Sequence, residues 1–361
     1  MNLSFSPIRL ALTLVVMPLL AFGLAACNSG LPEVAPSAPS TATISPPPPA
    51  PPATATQAPT PTLQPPLAIL LAAPGSDAGL STDLQSLLAE LTQEAGLQFE
   101  VRPRLEENAL LNEALRLVIA ISPDPGLAEL AQAAPQVQFM AVGMPDVEPA
   151  GNLTVVNGQG TRPDQQGFIA GYLAAVITPD WRIAVISQAD SLDGKSVRNG
   201  FLNGAIFFCG LCRPSFPPFV QYPVFYELPA GSGQADQQAA VDALVGNAVQ
   251  TAYVFPGTGD ENLLEALAAA EIKLIGGITP PADMNSHWVA TIRADLLTTV
   301  RQAWDDLLKG RAGVALDAPL LITGQNTDLL SPGKQRLIEQ TLQDLLAGYI
   351  ETGVDPATGE P

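Results

Sequence analysis

The chain has 361 residues, with 35 acidic against 16 basic side chains, a formal charge of −19 and a pI near 4.2. That balance argues against nucleic acid and anionic membrane surfaces as partners, because most of the molecule would be repelled. One histidine, His287, excludes a His-based metal site and the H-E-x-x-H pattern.

Residues 1–26 read as a targeting segment. A single cation, Arg9, precedes the apolar stretch 10–20, which is too short to span a bilayer. Leu24-Ala25-Ala26-Cys27 follows. It resembles the lipobox of bacterial lipoproteins, which implies cleavage before Cys27, diacylglycerol on its sulfur, and anchoring at the extracytoplasmic face of the cell membrane. An ordinary signal peptide with an accidental cysteine is the competing reading. Residues 27–66 are rich in Pro, Ser, Thr and Ala. Pro46-Pro47-Pro48-Pro49 and Pro51-Pro52 remove backbone donors and fix φ, so a disordered, extended stalk is expected. At about 3.1 Å per residue it could hold a domain on the order of 100 Å off the membrane.

Residues 67–361 suffice for a large core split into two lobes. Continuous apolar runs at 67–73, 117–121, 137–142, 182–187, 251–255 and 272–275 predict strands buried on both faces. Helix-period segments lie between them, at 81–95, 126–134, 164–176, 193–208, 234–245 and 260–270. The alternation predicts βαβ units, hence an α/β fold of parallel sheets flanked by helices. Gly96 and Gly246 stand where helices should end in a left-handed residue. Two later helices are expected at 294–309 and 334–347, the second behind Ser331-Pro332. The tail 351–361 is polar with Gly and Pro, and fraying is expected.

Gln166-Gly167-Phe168-Ile169-Ala170-Gly171-Tyr172-Leu173-Ala174-Ala175 is followed by the run Trp181-Arg182-Ile183-Ala184-Val185-Ile186 and then by Gly200-Phe201-Leu202-Asn203-Gly204-Ala205. This run resembles the basic membrane protein (BMP) family, nucleoside-binding lipoproteins of the type I periplasmic-binding-protein fold. Val254-Phe255-Pro256-Gly257-Thr258-Gly259 and Ile275-Gly276-Gly277 extend the resemblance, which covers about 165–310. It implies two Rossmann-like lobes, the first about 67–165 with part of 285–350 and the second about 180–284. The glycine pairs Gly167/Gly171 and Gly200/Gly204, each four apart, would clear one helix face for close backbone packing. Chance spacing in a Gly-rich chain is the alternative.

The departures bear on specificity. The family's first loop carries an acid for the ribose and an aromatic for the base; here it is Pro74-Gly75-Ser76-Asp77-Ala78-Gly79-Leu80. The family's "I-G-v-D" aspartate falls at or near Ile278. Nucleoside binding is therefore not expected.

Type I binding proteins hold ligand at the C-terminal ends of their strands. The corresponding loops offer Ser76, Asp77, Ser122, Gln188, Asp190, Thr258, Asp260 and Gly277 as ligand-binding candidates. Asp77, Asp190 and Asp260 could bind a polyol or an amine, although a helix N-cap is the plainer role for each. Trp181, Tyr253 and Trp288 could supply an aromatic platform or, equally, core packing.

No catalytic constellation is visible. There is no G-x-S-x-G elbow and no P-loop lysine, and Gly158-Gln159-Gly160 lacks a dinucleotide loop's third glycine. No metal or cofactor is expected. Cys209 and Cys212 are spaced like a redox motif but follow a helix rather than open one, so a structural disulfide is the reading, with free thiols or redox chemistry as alternatives. Beyond them, Phe216 and Phe219 sit in a Pro-rich loop where they could pack down or meet a partner. The expectation is a lipid-anchored solute-binding protein and not an enzyme. It would capture a small polar molecule for an ABC permease or a surface sensor. The alternative is a ligand-free module for protein interaction or signalling.

Overall fold

Strand β1 (Leu67–Leu71) is buried along its whole length. Leu67, Ile69 and Leu71 enter one apolar core and Ala68 and Leu70 another, because successive strand side chains leave on opposite faces. Such a strand belongs inside a sheet with helices on both sides. The computed structural model describes residues 64–361, which belong to one compact unit, Thr62–Pro361. Four apolar cores lie within that unit, as expected of a body that folds by itself. The targeting segment, Cys27 and nearly all of the stalk lie outside the described residues.

The first sheet joins β1 to β2 (Gln98–Arg102), β3 (Leu115–Ile121), β4 (Gln138–Val142), β5 (Leu153–Val156) and the late β11 (Ala315–Leu316). Its order is β11-β5-β4-β3-β1-β2, parallel throughout. Helix α1 (Ala78–Ala95) and the returning α7 (Leu296–Leu308) cover one face, and α2 (Leu127–Ala133) the other. The second sheet holds β6 (Ile183–Gln188), β7 (Val224–Leu228), β8 (Thr251–Val254), β9 (Lys273–Gly276), β10 (Trp288–Ala294) and β12 (Leu320–Thr323). Its order is β12-β10-β9-β8-β6-β7, with only β12 antiparallel. Helices α3 (Pro163–Ile177), α4 (Leu192–Cys209) and α8 (Pro332–Leu346) share one face; α5 (Gln234–Gly246) and α6 (Glu261–Ala269) cover the other.

The chain thus crosses between the sheets three times, between β5 and α3, β10 and α7, and β11 and β12. The second lobe takes in more chain than 180–284, because α3, β10, β12 and α8 all pack there. All six apolar runs read from the sequence are strands, and the expected helices lie within a few residues of their places.

Three local expectations need correction. Helix α5 runs through Gly246, and the left-handed residue beyond it is Ala248, at φ 52°. Ser331 precedes α8 without making a side-chain capping bond; Pro332 opens the helix alone. The tail does not fray. Thr352 Oγ1 donates to the buried Asp164 carboxylate at 2.7 Å, and Asn203 Nδ2 donates to Thr352 O at 2.9 Å. Asn199 Nδ2 donates to Gly359 O at 2.7 Å, and Thr352 and Val354 are buried. Polar composition misled here because the tail's partners are polar groups of α3 and α4, unseen from the tail's own sequence.

The glycine pairs do what their spacing implied. A Cβ at Gly167 or Gly171 would overlap the backbone oxygens of Val197 and Phe201, and one at Gly200 or Gly204 those of Asp164 and Phe168. Helices α3 and α4 therefore touch backbone to backbone along a reciprocal seam. Cys209, the last residue of α4, and Cys212 form a disulfide across a Cα separation of 5.1 Å, within the ordinary range.

Candidate functional site

A cavity of about 440 Å³ lies between the lobes, beyond the ends of β1 in the first sheet and of β8 and β9 in the second. The first lobe contributes Asp77, Ala78 and Gly79 at the start of α1. The second contributes the turn after β8, from Phe255 to Glu261, and the turn after β9, from Gly277 to Pro281. Trp288 is buried at the cavity's base, its Nε1 donating to Thr291 Oγ1 at 3.0 Å. Gly276 lies against that indole, where a Cβ would overlap the ring.

Glycine makes the second lobe's wall possible. Gly257 and Gly259 hold φ of 78° and 74°, which β-carbon-bearing residues adopt only with strain. Gly277 is bounded by Pro256 and by Gln166, whose Nε2 donates to Ile292 O at 2.8 Å. Gln166 is buried beside the first crossing between lobes, so it ties α3 to β10 directly behind the cavity.

The lobes also touch across the cleft. Gly79 sits so close to Thr279 that a Cβ would overlap its side chain. Arg293, on β10, donates to Asp83 on α1 at 3.1 Å and to Thr279 Oγ1 at 3.4 Å. The cleft is closed at this edge by an ion pair between lobes.

Of the eight ligand candidates, the cavity gathers Asp77, Thr258, Asp260 and Gly277. Asp77 Oδ1 accepts from Leu80 N at 2.8 Å and Asp260 Oδ1 from Asn262 N at 3.0 Å, so both cap helices. Each spends one oxygen on the cap. The hydroxyls of Ser76 and Thr258 are buried without a hydrogen-bond partner. Ser76, Ser122, Gln188 and Asp190 do not line the cavity. Ser122 is exposed, and Asp190 stands at φ 55° beside Ser191, the residue that caps α4. His287 lies in the turn before β10 and is likewise not part of the lining. Tyr253 is fully buried core, its hydroxyl unpartnered, and that burial pushes its pKa far above the ordinary value.

Sequence reasoning missed the cavity's apolar half. Phe255, Pro256, Leu264, Ile278, Pro280 and Pro281 line it around the polar groups. The available signal was the clustering of glycine and proline after β8 and β9, where the backbone rather than a side chain shapes the wall. Among the described residues, the lining includes the acidic residues Asp77, Asp260 and Glu261 and no Lys, Arg or His. No group of three or more potential metal ligands occurs among the described residues.

Two α/β lobes, three crossings and a cleft at the strand ends define the type I periplasmic-binding-protein-like fold. Solved structures agree. The chain is similar to an ABC transporter system solute-binding protein from Conexibacter woesei, with TM-score 0.58, 16% identity, and coverage of 79% of this chain and 97% of that one. A solute-binding protein of the same kind from Aeropyrum pernix gives 0.52, 14%, 79% and 92%. A transcriptional activator of the comK gene from Bacillus halodurans gives 0.55, 12%, 79% and 99%. At identities this low the likeness shows the fold alone. No family model and no curated protein matches the sequence.

Proposed function

We propose that this protein is a lipid-anchored, extracytoplasmic solute-binding protein that closes two lobes over a small molecule and presents it to an ABC-type permease or a sensor. The observation that carries the reading is the cavity itself, built from both lobes at the strand ends and bridged at its lip by Arg293 and Asp83. Its size lies in the range of small-molecule sites. Two of the similar solved structures bear the name of ABC transporter solute-binding proteins, which supports the same role here.

The lining narrows the solute. Three carboxylates with no basic side chain oppose an anion and favour a neutral or cationic polar group, while the apolar half covers a hydrocarbon or ring portion. Kinship with the basic membrane protein family rests on the motifs of 165–310. The family's nucleoside chemistry does not follow, because Ile278 stands near the place of its aspartate and the loop before α1 carries no aromatic ring.

A thermal-shift screen tests the binding role. A true ligand at about a hundred times its dissociation constant adds roughly 2.7 kcal/mol, hence several degrees on the scale of ~2–4 °C per kcal/mol. Amines and polyols should produce such a shift while guanosine, adenosine and inosine leave the midpoint in place. Asp77→Asn, which keeps a capping oxygen and removes the charge, should reduce the shift of a cationic ligand. A full shift with a nucleoside would restore the family's function. No shift with any solute would favour the interaction-module alternative. For the anchor, Cys27→Ser should move the protein out of the membrane fraction after a high-salt wash, which strips salt-sensitive surface contacts, and its retention there would rule the lipid out as the sole tether.

A further inference from the structure

The far end of the second lobe, away from the cleft, is apolar where a solvated surface is expected. The disulfide loop between α4 and β7 leaves Leu211, Phe216 and Phe219 at 72%, 68% and 74% exposure. Ile206 on the last turns of α4 and Phe225 on the edge strand β7 are about half exposed. Leu211, Phe219, Ile206 and Phe225 form one surface, and Phe216 stands exposed on the same loop. Leu211 and Phe219 line a hollow of about 330 Å³, Ile206 and Phe225 a second of about 490 Å³, and Gln221 borders both. Contiguous exposed apolar area of this kind marks an interaction surface.

The loop is held from beneath. Arg182, buried, donates Nη2 to Phe216 O at 2.8 Å and Pro217 O at 3.1 Å, and Nη1 to Tyr222 OH at 3.4 Å. Asp180 Oδ1 accepts from Ser215 N at 3.2 Å, and a second Asp180 oxygen lies 3.8 Å from Arg182. With the Cys209–Cys212 bond closing its start, the backbone is fixed while the rings stay in water. That ordering is paid before any partner arrives, which is what preorganised binding surfaces do.

Charge indicates the partner. From Gly194 to Tyr226 the chain contains Lys195, Arg198 and Arg213 and no acidic residue, although the whole protein carries −19. Lys195 and Arg198 pair with Glu360 and Glu227. Arg213 stays exposed and borders the first hollow. An anionic surface, repelled by most of the molecule, meets here a cation and a cluster of apolar side chains. A two-fold contact with a second copy would bring the two Arg213 side chains into one interface, which opposes it.

We propose that this surface docks on an anionic lipid bilayer. Leu211, Phe216 and Phe219 enter the boundary between headgroups and acyl chains, and Arg213 meets the phosphates. The whole-chain charge, which argues against broad adsorption, is compatible with docking through this one patch. The docking is separate from the lipid proposed at Cys27, and it turns the cleft end away from the membrane.

The unit Thr62–Pro361, which carries all four cores and excludes Cys27, is the protein to test. It is mixed with vesicles of phosphatidylcholine alone, or with phosphatidylglycerol added, and the bound fraction is read by co-sedimentation. Binding is expected to the anionic vesicles, weakening with added salt, with little to the neutral ones. The double variant Phe216→Ser, Phe219→Ser should abolish it, with circular dichroism and the melting midpoint checking the fold. Arg213→Glu, exposed and outside the hydrogen bonds that pin the loop, should weaken it roughly tenfold or more and carries the test alone if the double variant does not fold. No binding, or equal binding to neutral vesicles, overturns the proposal. So does a concentration-dependent rise in mass without vesicles that the double variant removes, which assigns the surface to a second copy.

Discussion

In the first lobe, α1 sends Leu84, Leu87, Leu88 and Leu91 down onto β1 and β3, and the distance between helix and sheet is set by those side chains. In the second lobe, α3 and α4 meet through Gly167, Gly171, Gly200 and Gly204, with no side chain between the backbones. A leucine core can relax around a change because its members have rotamers to exchange, whereas a backbone seam has none. The same contrast extends to the cleft. The second lobe supplies a wall shaped by Gly257, Gly259, Gly276 and Gly277, and the first brings only the start of α1 and the Asp83 carboxylate. In the reading proposed here, the second lobe is the stiff surface that recognises the solute, and the first closes over it.

The sharpest way to break this comparison is a methyl group. Alanine in place of a helical glycine is normally favourable by about 1 kcal/mol. At Gly246, the last residue of α5, where nothing lies within 4 Å of an added Cβ, that gain is expected. At Gly204 the added carbon would overlap Phe168 O, so Gly204→Ala should cost about 3 kcal/mol or more. Leu88→Ala in the first lobe should cost about 2–5 kcal/mol through lost burial and a residual cavity. Urea unfolding of the three variants measures all of this. A neutral Gly204→Ala would show that the seam can open, and the distinction between the lobes would fall.

A smaller effect is expected where the tail meets the seam's first turn. Asp164 is buried and receives hydrogen bonds from Arg162 Nη2 at 2.6 Å and Thr352 Oγ1 at 2.7 Å. Thr352→Val keeps the shape and removes one bond to a charged acceptor, at a cost of about 1.5–3 kcal/mol. The C-terminal residues should then become cleavable by protease in the native state, before global unfolding. If the variant is as stable and as resistant as the parent, the strap is decoration and not part of the second lobe's rigidity.

These features differ in how far a sequence can disclose them. The strands β1, β3, β4, β6, β8 and β9 are buried on both faces and show as unbroken apolar runs. β2, an edge strand reading Gln-Phe-Glu-Val-Arg, is largely exposed and carries no such run. β12, also at an edge, alternates buried and exposed residues over four positions, too few for a period to register. The glycine seam was legible because four-residue spacing is itself a geometric statement. The cavity was half legible. Its polar residues sit at strand-to-helix junctions that any reader would search, but its apolar half comes from prolines and Ile278, whose meaning depends on two turns from distant sequence meeting. The tail's docking was not legible at all, since its partners Asp164, Asn199 and Asn203 lie 149 to 188 residues away.

The smallest expected effect belongs to the first lobe's surface. Arg301 on α7 donates to both oxygens of Glu90 on α1, at 3.0 and 2.9 Å, and links the two helices that cover that sheet. The hydrogen bond from Arg301, aided by its charge, holds the Glu90 carboxyl below its ordinary value of 4.5. A carboxyl depressed in the folded state stabilises above its ordinary pKa, and that contribution is lost as pH falls through the lower, folded value. Both side chains are about half exposed, so solvent and salt screen most of the attraction. Glu90→Gln should therefore leave the unfolding midpoint unchanged at physiological salt. A slight destabilisation should emerge at low ionic strength near neutral pH and vanish once acid protonates the depressed carboxyl. Should the variant instead fall as far as Thr352→Val, then the first lobe too depends on a specific polar tie. Leucine burial alone would no longer account for how it is held.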